Sequence, residues 1–201
     1  GLNAISIDYR LAPEFRHPVQ VDDVADAFAA SWRPNSILVG VSAGATLAAA
    51  LCHRLRGSAQ GAAGQVLVYP ALGGDQFDLE SYQSNAHAPL LSSDDITYYS
   101  QMRCAGGNPP LDDPEFYPLM AMAFDGLPPT VAFSADVDPL RDDAALYIEK
   151  LHQAGVKACY QNEPGLVHDY LRARHTSQRA GDSFRRIGAA IRQLADSGVP
   201  G

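Results

Sequence analysis

Short apolar runs alternate with segments of helical periodicity along most of the chain. The runs are rich in aliphatic and β-branched residues, which predicts buried strands, at 4–9, 36–41, 65–69, 130–134 and 156–161. Apolar residues that recur three or four positions apart predict helices between them, at about 21–32, 43–56, 142–154 and 177–195. This alternation indicates one α/β domain over residues 1–201, with a mostly parallel sheet flanked by helices.

The stretch from Gly73 to Pro129 departs from that alternation. It is rich in proline and in scattered aromatic residues, and it contains few β-branched ones. We predict that 73–129 is an insertion of loops and short helices within the domain. Segments of this length in a compact domain are usually functional.

Composition removes several classes of protein. Of the 201 residues, 46% are hydrophobic and 19% are charged, which supports a sizeable core and excludes a disordered chain. The net charge of −8, without a basic run, argues against binding to nucleic acid or anionic membrane. The apolar runs are too short to span a bilayer, so no stable membrane insertion is predicted.

The three cysteines, Cys52, Cys104 and Cys159, lie far apart and form no CxxC pair. They therefore indicate neither a zinc site nor a disulfide framework, and they fit a reducing compartment, so we expect a cytoplasmic location. We find no metal-ligand constellation and no phosphate-binding loop in the sequence, and we predict no cofactor.

One predicted strand leads directly into a GxSxG motif formed by residues Gly40 to Gly44. A serine on a sharp turn between strand and helix presents its hydroxyl at the sheet edge, and side chains two residues either side would collide with the turn. Glycine is therefore expected at both Gly40 and Gly44. Ala43 is the first residue of the helix that follows, and its backbone N–H can donate to a developing oxyanion. We predict that Ser42 is a nucleophile rather than a structural turn residue.

A serine nucleophile needs a histidine as base. His168 follows the strand 156–161 through Asn162–Gly165, which places it at the sheet edge where Ser42 must lie. His87 lies in the insertion, and a role for it as a pocket residue stays an open alternative. The other histidines have helical or polar surroundings typical of solvated surface; they are His17, His53, His152 and His175.

The base in turn needs a carboxylate that orients it. Asp136 and Asp138 both follow the strand 130–134, whereas Asp142 suits the start of a helix. Nucleophile, acid and base then occur in the order expected of α/β-hydrolases. Spacing leaves both Asp136 and Asp138 open as the acid.

Four segments together resemble the hormone-sensitive-lipase-like family of α/β-hydrolase esterases, and they are Asp8–Glu14, Gly40–Gly44, Gly126–Pro129 and Asp138–Asp142. They stand in family order, cover nearly the whole chain, and are followed by His168 at the expected distance. The resemblance implies a serine carboxylesterase of small, short-acyl esters, with Ser42 as nucleophile, Asp138 as acid and His168 as base. It favours Asp138 because the family's acid precedes Pro-Leu, and it implies that 73–124 forms part of the acyl or alcohol pocket.

The sequence departs from the family in four places. Val41 stands where Asp is usual, Ala45 where Gly is frequent, and Asp169 where Gly usually follows the base. The family's His-Gly-Gly-Gly segment, which supplies further oxyanion N–H groups, is absent, as are the N-terminal strands. The resemblance implies that one missing strand lies between 4–8 and 36–41. We therefore expect this chain to be the C-terminal portion of a longer esterase. Without the further oxyanion N–H groups it should be a poor catalyst on its own, and its unpaired strands should make it prone to associate.

Alternatives of other classes remain. The same fold supports peptidases, lactonases and non-catalytic ligand-binding proteins. Binding proteins of this fold are known to lose the base, which is present here as His168. Related esterases often dimerise through the last strand and helix, so a homodimer is a further expectation, and the expected partner is a small-molecule ester.

Overall fold

The computed structural model describes residues 1–74, 77–104, 107–198 and 200. Within these residues there are four strands, β1 Ile37–Val41, β2 Gly64–Val68, β3 Thr130–Val137 and β4 Ala158–Val167. The described ranges also form six α-helices, α1 Val19–Ser31, α2 Ala43–Arg54, α3 Glu80–Ser84, α4 Ser93–Arg103, α5 Arg141–Gln153 and α6 Gln178–Ser197. Short 3₁₀ turns occupy Pro118–Met120 and Tyr170–Ala173.

All four strands are parallel and lie in the order β1-β2-β3-β4. Their registers pair Ile37 with Gly64, Gln65 with Thr130, and Thr130 with Ala158. Because the strands point the same way, the residues that follow them gather at one edge of the sheet. The predicted α/β fold with a parallel sheet is confirmed.

The two faces of the sheet are buried by different helices. Leu67 and Ala132 pack on the side of α1, α2 and α5, whereas Val66 and Val131 pack on the side of α6. Both central strands are therefore buried on both faces, which explains why they read as continuous apolar runs. The helix α2 is almost wholly buried, and its alanines allow close approach to the sheet.

The strand predicted at 4–9 is wrong, because residues 1–11 form no strand and have no partner in the sheet. Ile7 and Tyr9 pack against the core, but Ile5 is exposed. Arg10 anchors the segment by donating from its backbone and guanidinium to Asp23. A β-branched run predicts local extension, whereas a strand also needs a neighbouring backbone. In the described chain β1 is an edge strand.

The end predicted for the strand at 156–161 is also wrong. β4 does not stop at Gln161 but continues through Pro164 and Gly165 to Val167. Pro and Gly usually end a strand, and here they occupy an irregular step in the pairing with β3 instead. His168 consequently follows the strand directly, without an intervening loop.

The described residues between 73 and 129 form α3, α4, the 3₁₀ turn at 118–120 and connecting loops. Ser92 begins α4 with a capping box, in which its hydroxyl accepts from the Asp95 N–H and the Asp95 carboxylate accepts from the Ser92 N–H. The segment lines a cavity of about 480 Å³ between α3, α4 and loop residues that include Gly74, Asp78, Pro109 and Tyr117. In the described part of the chain, none of the helices has the length and apolar character that a membrane crossing needs.

Candidate active site

Ser42 sits on a strained turn between β1 and α2. Its φ of 53° lies in the left-handed region, which is unfavourable for a residue with a Cβ. Its N–H donates to the Val68 carbonyl at 2.9 Å, so the turn is tied to the end of the neighbouring strand. Thr46 donates to the Ala71 carbonyl at 2.6 Å and holds the first turn of α2 against the next loop.

The two glycines of the motif play different steric parts. A Cβ on Gly40 would lie 2.3 Å from the Gly44 carbonyl oxygen and 2.4 Å from the Ala45 Cα, so glycine is required there. A Cβ on Gly44 would meet no atom of the described residues within 4 Å. The prediction of a collision at Gly44 is therefore wrong, because the second residue of α2 faces away from the tightly packed turn around Ser42.

His168 and Asp138 complete a chain of hydrogen bonds to this serine. The Ser42 Oγ lies 2.8 Å from His168 Nε2, and His168 Nδ1 lies 2.7 Å from Asp138 Oδ2. Asp138 is fully buried, and its other oxygen accepts the Leu140 N–H at 2.9 Å. The three side chains come from the ends of β1, β3 and β4, which the parallel sheet brings to one edge.

The chemistry of each partner fixes the direction of these bonds. A carboxylate can only accept, so Nδ1 of His168 donates to Asp138 and Nε2 keeps its lone pair for the Ser42 hydroxyl. This arrangement can remove a proton from Ser42 Oγ and hold the resulting imidazolium next to a buried negative charge.

A residue that sequence analysis missed packs directly on His168. Tyr69 follows β2, is almost fully buried, and has its ring centroid 4.8 Å from that of His168 and 5.2 Å from that of Tyr170. Its φ of 36° is strained for an aromatic residue. Burial, with the charge of Asp169 as a second cause, raises the pKa of the Tyr69 hydroxyl. No motif marks this residue; only its place at the end of the strand predicted at 65–69 could have drawn attention to it.

The remaining acidic candidates have other contacts. Asp136 does not bond to His168 but accepts hydrogen bonds from Asn162 and from the Gly165 N–H, both at 3.0 Å. Asp142 lies in the first turn of α5, where it accepts the Ser81 N–H at 2.9 Å. Of the two aspartates left open by spacing, the structure brings Asp138 to the histidine.

Two of the histidines expected on the solvated surface lie inside the protein. His53 packs between Phe124 and Tyr147, and burial lowers its pKa to about 4. His17 bonds to Asp113 at 2.8 Å with its side chain largely buried. The surface prediction was wrong for these two because it rested on neighbours in sequence. It is confirmed for His152 and His175, and His87 is exposed as well.

Ala43 is the first residue of α2 and is exposed. The first N–H groups of an α-helix have no acceptor within the helix, and they carry the positive end of its dipole. This N–H directly follows Ser42 in sequence. No group of three or more His, Cys, Asp or Glu side chains in the described ranges is arranged to hold a metal ion.

The loop after β2 is held by a buried carboxyl group. Asp143 in α5 is fully buried, and one of its oxygens accepts both the Leu72 N–H at 2.6 Å and the Gly73 N–H at 2.9 Å. Burial raises the pKa of Asp143 to about 7. An asparagine can keep both bonds with its single carbonyl oxygen and removes the ionisation.

We expect Asp143→Asn to change how stability depends on pH. Asp143 titrates near 3.8 when unfolded and near 7 when folded, so between these values the folded chain retains a proton that the unfolded chain releases. Its contribution to stability therefore falls as pH rises from about 4 to 7 and then levels off. This is measured by urea unfolding at pH 5 and pH 8. Between these two pH values, the free energy of unfolding of Asp143→Asn should rise relative to that of the wild type by on the order of 2–4 kcal/mol. Parallel pH profiles for the two proteins would contradict this assignment.

Comparison with known proteins gives a consistent result. A family model described as the α/β-hydrolase fold matches residues 1–172. The chain is 32% identical to Carboxylesterase NlhH of Mycobacterium tuberculosis, covering 94% of this chain and 63% of the relative. It is 29% identical to Ethyl acetate hydrolase of Pseudomonas putida, covering 96% and 64%. A hyperthermophilic esterase from Pyrobaculum calidifontis superimposes with a TM-score of 0.87 at 27% identity, covering 94% of this chain and 65% of that one.

A serine on a strand–turn–helix elbow, bonded to a histidine and a buried aspartate at the same sheet edge, is the arrangement typical of the α/β-hydrolase fold. The chain belongs to the α/β-hydrolase fold family, and the resemblance to the hormone-sensitive-lipase-like carboxylesterases is confirmed. It spans slightly less than two thirds of the length of the relatives it matches.

Proposed function

We propose that this protein is a serine carboxylesterase that hydrolyses small, short-acyl esters. The observation that carries the proposal is the chain of hydrogen bonds from Ser42 Oγ through His168 to Asp138, at 2.8 and 2.7 Å. The names of the relatives, carboxylesterase and ethyl acetate hydrolase, support an ester with a small acyl group as substrate.

In the proposed reaction, His168 Nε2 takes the hydroxyl proton while Ser42 Oγ forms a bond to the ester carbonyl carbon. Asp138 stabilises the imidazolium, and the Ala43 N–H donates to the oxygen that becomes negative. As the tetrahedral intermediate collapses, His168 returns the proton to the departing alcohol and an acyl-enzyme remains. Water then attacks the acyl carbon and gives a proton to His168. As this intermediate collapses, His168 returns the proton to Ser42 Oγ, the bond between Oγ and the acyl carbon breaks, and the carboxylic acid is released.

The substrate pocket is proposed to include part of the insertion 73–129. The first residue of the insertion, Gly73, donates its N–H to the buried Asp143 at 2.9 Å, five residues after Asp138 in the sequence. Asn85 reaches the Asp138 carbonyl oxygen from the insertion at 3.2 Å. Two earlier expectations, a homodimer and a cytoplasmic location, stay predictions.

A fluorophosphonate probe tests the proposed nucleophile. The probe forms a covalent bond to a serine oxygen that a neighbouring base activates, so it should label the wild-type chain at Ser42 and leave Ser42→Ala unlabelled. Peptide mapping by mass spectrometry identifies the site. A protein that only binds ligands on this fold would not react, and absence of labelling would refute the proposal.

The substrate class is tested with an ester and an amide that share one acyl group, such as p-nitrophenyl acetate and p-nitroacetanilide. We expect ester turnover and much slower amide turnover. Comparable rates, or turnover of a lactone alone, would favour the peptidase or lactonase alternative on the same catalytic residues.

A further inference from the structure

The pairing of β3 with β4 contains an irregular step just before the site. Ala135 pairs with Glu163, but Val137 pairs with Val167, so the single residue Asp136 of β3 lies opposite three residues of β4, Pro164 to Leu166. The two extra residues form a bulge around Pro164 and Gly165.

This bulge decides which residue of β4 stands beside Asp138. In regular pairing from Glu163 onward, Leu166 would be level with Asp138 and His168 would lie two residues further along, about 6.6 Å away. The extra residues bring His168 level with Asp138 instead. Because their number is even, the side chains of β4 keep their faces of the sheet.

Asp136 closes the bulge with both carboxylate oxygens. Oδ2 accepts the Gly165 N–H at 3.0 Å, which supplies a bond that a strand carbonyl would supply in a regular ladder. Oδ1 accepts from the Asn162 amide at 3.0 Å, and the side-chain oxygen of Asn162 accepts from the buried Ser134 hydroxyl at 3.0 Å. Gly165 has a φ of 68°, a conformation that suits glycine. Pro164 has no N–H that could be left without a partner.

We propose that Asp136 is a positioning residue, which holds His168 level with Asp138 and Ser42 by clamping the bulge between Asn162 and Gly165. This inference rests on the proposed function, in that it concerns the geometry of the same histidine. These two hydrogen bonds also account for a lowered pKa of the Asp136 carboxyl, so the clamp is anionic at neutral pH.

Four variants of the 201-residue chain test the clamp. Asp136→Ala removes both acceptors. Asn162→Asp places a second carboxylate against Asp136. The double variant Asp136→Asn/Asn162→Asp reverses the pair, because the amide introduced at position 136 can donate to the carboxylate introduced at position 162 and still accept from Gly165. Asp26→Asn, at an exposed position on α1, is the matched control.

Two readouts are informative. The first is the rate constant of fluorophosphonate labelling at Ser42, with KM and kcat for the ester measured separately. The second is the strongly deshielded ¹H NMR resonance of the proton between His168 Nδ1 and Asp138, which reports this hydrogen bond even when Ser42 is unreactive. A purely structural role of Asp136 would lower stability without moving this resonance in the folded protein.

We expect Asp136→Ala and Asn162→Asp to slow labelling about 10- to 100-fold, with an effect on kcat rather than KM, and to shift or broaden the resonance. The double variant should recover most of the rate and the wild-type resonance, and Asp26→Asn should match the wild type throughout.

The proposal is overturned if folded Asp136→Ala keeps the wild-type rate and resonance, or if the double variant recovers neither. Should Asp136→Ala not fold, Asn162→Asp and the double variant decide by the same criteria. A wild-type chain that does not react at Ser42 would contradict the proposed function, and the resonance would still test the clamp.

Discussion

Replacing Ser42 or His168 by alanine lowers kcat for p-nitrophenyl acetate by about 10⁴- to 10⁶-fold, to a rate set by any remaining oxyanion stabilisation. The reason is the shared proton: Ser42 Oγ and His168 Nε2 are 2.8 Å apart, and neither atom can carry out the step without the other. The double variant Ser42→Ala/His168→Ala should therefore be no slower than Ser42→Ala. Steady-state kinetics on the purified variants measures this.

Asp138→Asn should also lower kcat for p-nitrophenyl acetate by several orders of magnitude, although the shape of the site is kept. An asparagine amide at this position can donate to Nδ1 of His168, which favours the tautomer whose Nε2 carries the proton and cannot accept one from Ser42. His87→Ala is the control, since His87 is exposed and outside the hydrogen-bonded chain. Activity retained in His168→Ala would show that another base acts, and the proposed mechanism would have to be abandoned.

The second large effect concerns the two glycines of the GxSxG motif. Replacing each by alanine should change the free energy of unfolding in opposite directions. Gly40→Ala places a methyl group 2.3 Å from the Gly44 carbonyl oxygen, and backbone must move to relieve the overlap. We expect a loss of about 3 kcal/mol or more in the free energy of unfolding, with loss of fluorophosphonate labelling in any folded fraction. The labelling is lost because the same backbone carries Ser42.

Gly44→Ala is the matched variant. The added Cβ meets no described atom within 4 Å, and Gly44 lies in the first turn of α2 at a φ that suits any residue. Alanine in a helix should raise the free energy of unfolding by about 0.5–1 kcal/mol relative to glycine. Urea denaturation of both variants tests the pair, and equal destabilisation of Gly40→Ala and Gly44→Ala would contradict the steric argument.

The turn that carries Ser42 could be predicted from sequence for a local reason. The elbow is built from consecutive residues, so the strand, the turn serine and the following helix are all visible as one pattern around Ser42. The order of serine, aspartate and histidine then indicated the fold, since parallel strands bring their following residues to one edge. Spacing alone did not separate Asp136 from Asp138, because both follow the strand predicted at 130–134. In the structure β3 continues to Val137, so Asp136 lies within the strand and Asp138 directly after it.

The errors came from interactions between distant segments. The run at 4–9 has strand-like residues, but strand formation needs a partner backbone, which the pattern of one segment cannot supply. Pro164 and Gly165 predict the end of a strand, yet β4 continues through them because Asp136 of β3 supplies the acceptor for Gly165. His53 has polar neighbours in sequence and aromatic neighbours in space.

By itself, then, the sequence determined the class of fold and singled out Ser42, His168 and two aspartates as candidates for the site, because each depends on residue types at short spacing or on chain order. The tertiary structure decided that Asp138 bonds to His168, that Tyr69 packs against His168, and that Asp136 closes a bulge. These assignments depend on register between β3 and β4. A shift of two residues leaves the alternation of side chains unchanged, so no hydrophobic pattern within one strand can reveal it.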